Sequence, residues 1–351
     1  MSSIIQARCE GAVSEVGGVK VFTMRVQNAS AEFLNSLQPG RYVAIHYPDT
    51  LGELQQRIYS ITRKQGRDLF EIAVKRSNYG GVSDHLHSTL HEDGVISLQY
   101  VAGDISVESI AHHQRIGMVA GGIGITLPLA LLRELAARAD IGQPVPDVVL
   151  LLSVPKIADI PFLYELLQLT LTTTWFTFRV FITQESVQPS DHFAPGRLSA
   201  DALKALEQPQ AVVICGSHSF ADTFREHAAA EFPSARLLIE AFTSPASAML
   251  PERQHEEAVQ TVKLRIADSE QTIESPLGKS LLEILESSGI PIRSQCRAGI
   301  CGNCRVRVSE GECRFESDFC LSDEDKNAGY ALACCTFPLS GNLTVSLGLA
   351  G

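Results

Sequence analysis

Uninterrupted apolar sequence is scarce in this chain of 351 residues, and so is cysteine ahead of residue 290. The most apolar stretch, "IGMVAGGIGITLPLALLREL", is broken by four glycines and a proline and ends in charged residues. A membrane-crossing helix needs roughly 20 apolar residues without such breaks. No membrane span is therefore expected, and the stretch reads as a buried strand, a loop and a helix. The opening "MSSIIQARCEGAVSEV" turns polar too early for a secretory leader, so a cytoplasmic location is expected. Basic residues are outnumbered as well, 29 Lys and Arg against 40 Asp and Glu, for a net charge of −11. That deficit argues against nucleic acid as a partner, because a phosphate backbone demands a basic footprint. Internal repeats and low-complexity tracts are absent too.

The chain is 45% hydrophobic and 20% charged, the composition of a globular protein. It is too long for one ordinary core, so several domains are expected. Residues 1–110 carry short alternating stretches, "GVKVFTMRVQ", "GRYVAIHY" and "LFEIAVKR", parted by Gly, Pro and Asn turns. Strands at this spacing predict a small antiparallel barrel or sandwich. From 111 to 243 the pattern changes. Apolar strands "IGMVA", "DVVLLLSV", "FRVFIT", "AVVICG" and "RLLIE" alternate with helical patterns such as "TLPLALLRELAARA". This predicts an α/β domain with a parallel sheet, whose ligands bind at the carboxyl ends of the strands. Residues 244–258, "SPASAMLPERQHEEA", read as a linker. In 259–351, "VQTVKLRIA" and "QTIESP" predict a hairpin, and "KSLLEILESSG" a helix stopped by glycine.

Seven of the nine cysteines fall in that last segment, three of them in the nine residues "CRAGICGNC". A reducing compartment makes a disulfide framework a poor reading and a metal or cluster site a better one. The spacing is Cys296-x4-Cys301-x2-Cys304, with Cys334 and Cys335 some thirty residues on. Zinc motifs favour paired Cys-x2-Cys units, and only one such pair is present. The spacing resembles that of plant-type ferredoxins, which hold a 2Fe-2S cluster with three thiolates from one loop and a distant fourth. Gly299 and Gly302 would let such a loop curl, and Arg293, Arg297 and Arg305 would offset the cluster's charge. Residues 259–351 look like a ferredoxin domain throughout, which implies an α+β fold of the β-grasp kind. Ferredoxin domains like this one carry Leu-x-Cys after "GY", as in "GYALAC", so the resemblance selects Cys334 as the fourth ligand. Cys313, Cys320 and Cys335 are left as packing or surface thiols.

"QRIYS" places Arg57, Tyr59 and Ser60 between "PGRYVAIHY" and "FEIAVKRSNYGGVSDHLH". This order resembles the ferredoxin–NADP reductase family, and so implies a flavin-binding barrel. The resemblance implies that Arg57 holds the flavin phosphate, Tyr59 lies along the ring and Ser60 sits near its reactive nitrogen. Arginine suits phosphate, an aromatic residue covers a flat ring, and a hydroxyl can bond a ring nitrogen. Gly80, Gly81 and Ser83 open a helix whose N-terminus would favour an anion; the plainer reading is a turn with a serine cap. Val74, Lys75 and Val82 flank these positions and join the expected flavin site. His85, His87 and His91 look like one helix face near Asp84, but read as solvated or packed histidines rather than metal ligands. FAD is favoured over FMN, although Val101 and Ile105 stand where FAD-binding relatives carry proline and an aromatic.

The same family carries Gly-Gly-x-Gly-x-Thr-Pro, and here Gly121, Gly122, Gly124 and Thr126 match, with Pro128 one place late. Such a loop lets the backbone approach a pyrophosphate at a helix N-terminus. Cys215-Gly216-Ser217 stands where relatives have Cys-Gly-Pro, the cysteine close to the nicotinamide. Glu240 and Phe242 match a Glu-x-Phe segment that closes the flavin face. Ser60, Cys215 and Phe242 are thus the candidate catalytic residues. NADH is favoured over NADPH, because Thr183-Gln184 stands where NADPH users often show Ser-Arg; Lys156 remains a candidate for a 2′-phosphate.

The whole chain resembles single-chain oxygenase reductases, such as those of the phthalate dioxygenase and phenylacetyl-CoA epoxidase systems. This implies electron transfer from a nicotinamide dinucleotide through flavin and cluster to a separate terminal oxygenase or other acceptor protein. No second Cys/His cluster of Rieske type and no two-histidine–carboxylate set is evident in the sequence. Glu316, Asp318, Asp323, Glu324 and Asp325 could guide docking or simply be solvated. Two other readings stay open: an electron carrier or redox sensor with a silent reductase half, and a reductase serving a non-oxygenase acceptor.

Overall fold

The computed structural model describes residues 5–52, 54–78, 81–242, 261–269, 271–293, 299, 302–315 and 321–347, with only the backbone described at 242, 323 and 340. The expected linker, 244–258, lies outside the described residues. The chain divides into two compact units, Met1–Glu240 and Ala241–Gly351.

The first unit opens with six antiparallel strands, β1 (Ile5–Glu15), β2 (Val19–Gln27), β3 (Tyr42–Pro48), β4 (Leu54–Gln65), β5 (Leu69–Lys75) and β6 (Val95–Ala102). They close into a barrel in the order β1-β2-β5-β4-β3-β6. Alternation sends Phe22, Met24 and Val26 of β2, and Phe70, Ile72 and Val74 of β5, into one interior. Helix α1 (Ala31–Ser36) links β2 to β3, and α2 (Val82–Thr89) packs Val82 and Leu86 into the same core.

A second sheet follows: β7 (Arg115–Gly121), β8 (Asp147–Val154), β9 (Phe176–Ile182), β10 (Phe193–Pro195), β11 (Ala211–Ser217) and β12 (Arg236–Phe242). Its order is β10-β9-β8-β7-β11-β12. Strand β7 has five consecutive buried residues, as a strand covered on both faces should. The helices between are α3 (Thr126–Asp140), α4 (Leu163–Thr172) and α5 (His218–Glu231). Strand β10 was not evident in the sequence. It is three residues long and ends in Pro195, which only an edge strand tolerates. The strand order reverses direction between β7 and β11, and such a switch point opens a crevice at the strands' carboxyl ends.

The second unit is a mixed sheet of β13 (Thr261–Ile266), β14 (Thr272–Pro276), β15 (Arg305–Phe315), β16 (Tyr330–Leu332) and β17 (Thr336–Ser346), in the order β14-β13-β17-β15-β16. The expected hairpin is β13 against β14. Helix α6 (Leu281–Ser287) buries four of its seven residues. It is started by a capping box between Ser280 and Glu283 and followed by Gly289 at φ 70°. A short helix, α7 (Asp323–Asn327), precedes β16. One helix against a mixed sheet is the β-grasp arrangement.

Candidate functional site

Four polar side chains meet in the first unit where the barrel faces the carboxyl ends of β7, β11 and β12. Ser60 Oγ donates to Glu240 Oε1 at 2.7 Å, and Thr126 Oγ1 lies 3.5 Å from Ser60 Oγ. Ser60, Thr126 and Glu240 are each more than 90% buried, and Cys215 is fully so. Burial lifts the Glu240 carboxyl to about 7, and the Ser60 hydrogen bond works against that rise. The Cys215 thiol is pushed well above its ordinary value, first by burial and then by the charge of Glu240, with the Leu127 amide opposing.

Local sequence explains the arrangement. After β7 the chain turns through Gly122 at φ 54° into a tight 3-10 turn, Gly122–Ile125, which runs into α3. A Cβ on Gly124 would lie 2.3 Å from the Cys215 carbonyl oxygen, so only glycine lets this turn rest on the end of β11. Pro128 falls in the first turn of α3, where no intrahelical N–H is needed, so its late position is harmless. Ser217 caps α5, its Oγ accepting from the Phe220 amide at 3.4 Å. A serine cap therefore starts this helix. Phe242 is the last residue of β12; its side chain lies outside the described residues.

Alternation along β4 puts Arg57 and Tyr59 on the face opposite Ser60. Arg57 is exposed and donates to the Gln56 carbonyl; Tyr59 is half-buried against the barrel core. Val74 and Val82 are wholly buried, so only their backbones can meet a ligand. Lys75 is half-buried at the end of β5. Gly80 lies outside the described residues. Gly81, rather than Ser83, occupies the cap of α2, and no side chain caps it. Asp84 is turned back instead, accepting from the Ser77 and Asn78 amides at 2.8 and 2.9 Å and from Ser77 Oγ at 2.7 Å. An uncapped helix start beside a folded turn suits a phosphate group.

The three histidines do not share a face. His85 contacts the Pro48 carbonyl, His87 the Val74 carbonyl, and His91 lies beyond the helix end. Two residues along a helix is roughly a 200° turn, which separates the first two. Ile105 is buried and presents no flat exposed face.

At the carboxyl ends of β8 and β9, Gln184 N–H donates to Pro155 O at 2.8 Å and Glu185 Oε2 accepts from Ile157 N–H at 2.9 Å. Glu185 was not singled out in the sequence, where it reads as one more surface acid. Its place three residues beyond the end of β9 at Ile182 was the signal. Lys156 is exposed on the same loop.

In the second unit, Cys304 and Cys334 come together in one core. Ala333 N–H donates to Cys304 O at 2.9 Å, and Arg305 pairs with Leu332 across β15 and β16. Both thiols are over 90% buried among apolar residues. Gly299 and Gly302 both take positive φ, 72° and 74°, as a curled loop needs. Cys296 and Cys301 lie outside the described residues. Two thiols from separate elements, joined through their backbones in an apolar core, fit a cluster with thiolate ligands. Arg305 beside Cys304 stacks 3.9 Å from the Tyr330 ring centre and pairs with Asp325. Asp325 also accepts from the Ser322 amide, so it serves structure. Glu316 and Asp318 lie outside the described residues. Among the described residues, no helix is long and apolar enough to cross a membrane.

Comparison with known proteins bears on the fold and on the C-terminal domain. Residues 264–339 match the 2Fe-2S iron-sulfur cluster binding domain family. Over 98% of both chains, the fold superposes on phthalate dioxygenase reductase, described as a modular structure for electron transfer from pyridine nucleotides to the 2Fe-2S cluster, with a TM-score of 0.66 at 21% identity. The chain is 26% identical to NADH oxidoreductase HCR of Escherichia coli, covering 88% of each. It is also 26% identical to the ferredoxin reductase component of 3-ketosteroid-9-alpha-monooxygenase of Rhodococcus rhodochrous, covering 88% of this chain and 87% of that one. The barrel, the six-stranded sheet and the C-terminal mixed sheet follow the architecture of phthalate dioxygenase reductase. The chain's relatives include reductase components of monooxygenase systems.

Proposed function

We propose that the chain is a flavin-dependent NADH reductase that delivers electrons, one at a time, to a separate oxygenase component. Residues 1–110 would hold FAD, 111–243 the nicotinamide dinucleotide, and 259–351 the 2Fe-2S cluster, with 244–258 as linker. The observation that carries the reading is the Ser60–Glu240 bond, which sets a hydroxyl and a buried carboxyl between barrel and nucleotide sheet. When bound, the flavin takes up a hydride's two electrons and releases them singly, and the cluster carries one of them outward.

The chain's own residues hold and orient these groups. Arg57 and the uncapped start of α2, Gly80 to Ser83, would take the flavin phosphate, with the Val74, Lys75 and Val82 backbones beside it. Tyr59 would cover the ring. The Gly121, Gly122 and Gly124 turn and the N-terminus of α3 at Thr126 would take the pyrophosphate. Cys215, Gly216 and Phe242 would border the nicotinamide. Ser60 Oγ presents its proton to Glu240 Oε1. With a carboxyl near 7, Glu240 can hold or release a proton at neutral pH without leaving the bond. Cys296, Cys301, Cys304 and Cys334 would ligate the cluster. Glu185 supports NADH, since a carboxylate at the end of β9 repels a 2′-phosphate.

The decisive experiment is an anaerobic absorbance titration of the purified protein with NADH and then NADPH. Bleaching of both flavin and cluster bands by NADH is expected. Cluster bands without flavin, or no bleaching by either donor, would overturn the proposal in favour of a bare electron carrier. Oxygen uptake restored by a purified oxygenase component would identify the acceptor; reduction of a haem or other non-oxygenase protein alone would replace it.

A further inference from the structure

We infer that Cys335, without being a ligand, donates an S–H···S hydrogen bond to the Cys334 sulfur and so raises the reduction potential of the cluster. The inference rests on the reading that Cys334 is the fourth ligand. Consecutive residues of a strand point to opposite faces. Cys334 and Cys335 instead lie in a short 3-10 turn, Ala333–Cys335, between β16 and β17, and their sulfurs approach to 3.6 Å. That separation suits a hydrogen bond between sulfurs. Its direction follows from chemistry: a ligating sulfur is a thiolate and has no proton to give, so the donor is Cys335.

The surroundings strengthen the contact. Cys334 is 7% exposed and Cys335 4%, both within the apolar core that includes Leu281, Leu285 and Leu332. Water does not compete there, and the low dielectric makes the bond stronger than in solvent. The turn is fixed at both ends, by Ala333 N–H on Cys304 O at 2.9 Å and by Thr336 Oγ1 on Leu332 O at 2.8 Å. Cys335 is thus held against Cys334 by the backbone that brings Cys334 to Cys304. Reduction adds negative charge that the ligating sulfurs share, and a donor to one of them stabilises the reduced form more than the oxidised one. Cys335 is a positioning residue in this sense: it acts through Cys334.

The test uses the full-length protein with its cluster, titrated spectroelectrochemically and followed by the electron paramagnetic resonance of the reduced cluster. Cys335→Ala should keep the cluster spectrum and lower the potential. At the wild-type midpoint its reduced-to-oxidised ratio should fall about tenfold, equivalent to about 59 mV for one electron. Cys335→Ser keeps a donor and should stay within about threefold of wild type. An unchanged potential in Cys335→Ala overturns the inference and leaves Cys334 as ligand. Equal falls in both variants also overturn it, because packing rather than a proton would then be responsible. If Cys335→Ala assembles no cluster, Cys335→Ser decides: assembly at near wild-type potential supports the donor role, and failure overturns it. A Cys334→Ser variant with a wild-type cluster spectrum would overturn the ligand reading itself.

Discussion

Ser60 Oγ and Glu240 Oε1 lie 2.7 Å apart although 180 residues separate them in the chain. One belongs to the fourth barrel strand and the other to the last strand of the parallel sheet. A buried carboxyl costs several kcal/mol when ionised and unpaired. A fold that keeps one there, hydrogen-bonded to the Ser60 hydroxyl, places a titrating group at the seam between its two sheets.

Replacing Glu240 with glutamine should alter the pH dependence of stability in a set direction. Its carboxyl is raised in the folded protein from the usual 4.5 to about 7. The folded state therefore binds the proton more tightly than the unfolded one. This contribution is fully present below about pH 4.5 and is lost as pH rises through about 7. Up to roughly 3 kcal/mol is at stake by linkage. Melting curves between pH 5 and 8 should show wild type losing ground to Glu240→Gln as pH rises. Parallel curves would mean that Glu240 titrates near its ordinary value.

Gly124→Ala should be costly, because the added carbon would lie 2.3 Å from the Cys215 carbonyl and the neighbour is backbone. We expect a loss of about 2–3 kcal/mol in urea unfolding, as for other overpacked sites, and weaker NADH binding. Gly11→Ala is the control, since an added carbon there meets nothing within 4 Å. Equal stability of the two variants would remove the steric account of the glycine turn.

What the sequence revealed was what local physics dictates. The alternation of β2 and β5, the glycine turn before α3 and the capping box of α6 follow from residues within one element. Misreadings arose where a shift of two residues decides. The helix after Gly81 starts at Val82, which removes Ser83 from the cap, and ends at Thr89, which removes His91 from the helix. Contacts between distant segments were invisible. The motif residues Ser60 and Glu240 could be named, but nothing local said that they would bond. Nothing local to Glu185 said that it would accept from the Ile157 amide.

Arg133 illustrates such a distant meeting and should be a keystone of stability. On α3, it makes two 2.7 Å bonds to Glu165 of α4, donates to the Thr62 carbonyl at 3.2 Å and lies 3.6 Å from Glu71 of β5. Its side chain is 14% exposed and that of Glu71 13%. Arg133→Met would leave Glu71 with Arg63 alone, at 3.4 Å, and would remove both bonds to Glu165, at a cost of about 1–2 kcal/mol. Arg133→Lys keeps the charge but not the two-pronged geometry and should fall between. Urea unfolding followed by circular dichroism gives the ranking; a methionine variant as stable as wild type would refute the role.

Coenzyme choice should turn on Glu185. Its carboxylate is held by the Ile157 amide at the exits of β8 and β9, the end of the sheet where a parallel fold binds its ligand. A 2′-phosphate about 6 Å away at an effective dielectric of about 40 would feel roughly 1.4 kcal/mol of repulsion per unit charge. That is about tenfold in discrimination. Glu185→Gln keeps an acceptor for Ile157 while removing the charge, so the NADH-to-NADPH ratio of kcat/KM should fall about tenfold. Glu185→Lys should lower it further, because attraction to the phosphate replaces repulsion while the amide loses its acceptor. The glutamine variant separates charge from structure. If its ratio is unchanged while that of the lysine variant falls, Glu185 is near the phosphate but does not set the native preference. If neither moves, the 2′-hydroxyl lies elsewhere, and Lys156 on the adjoining loop becomes the residue to vary.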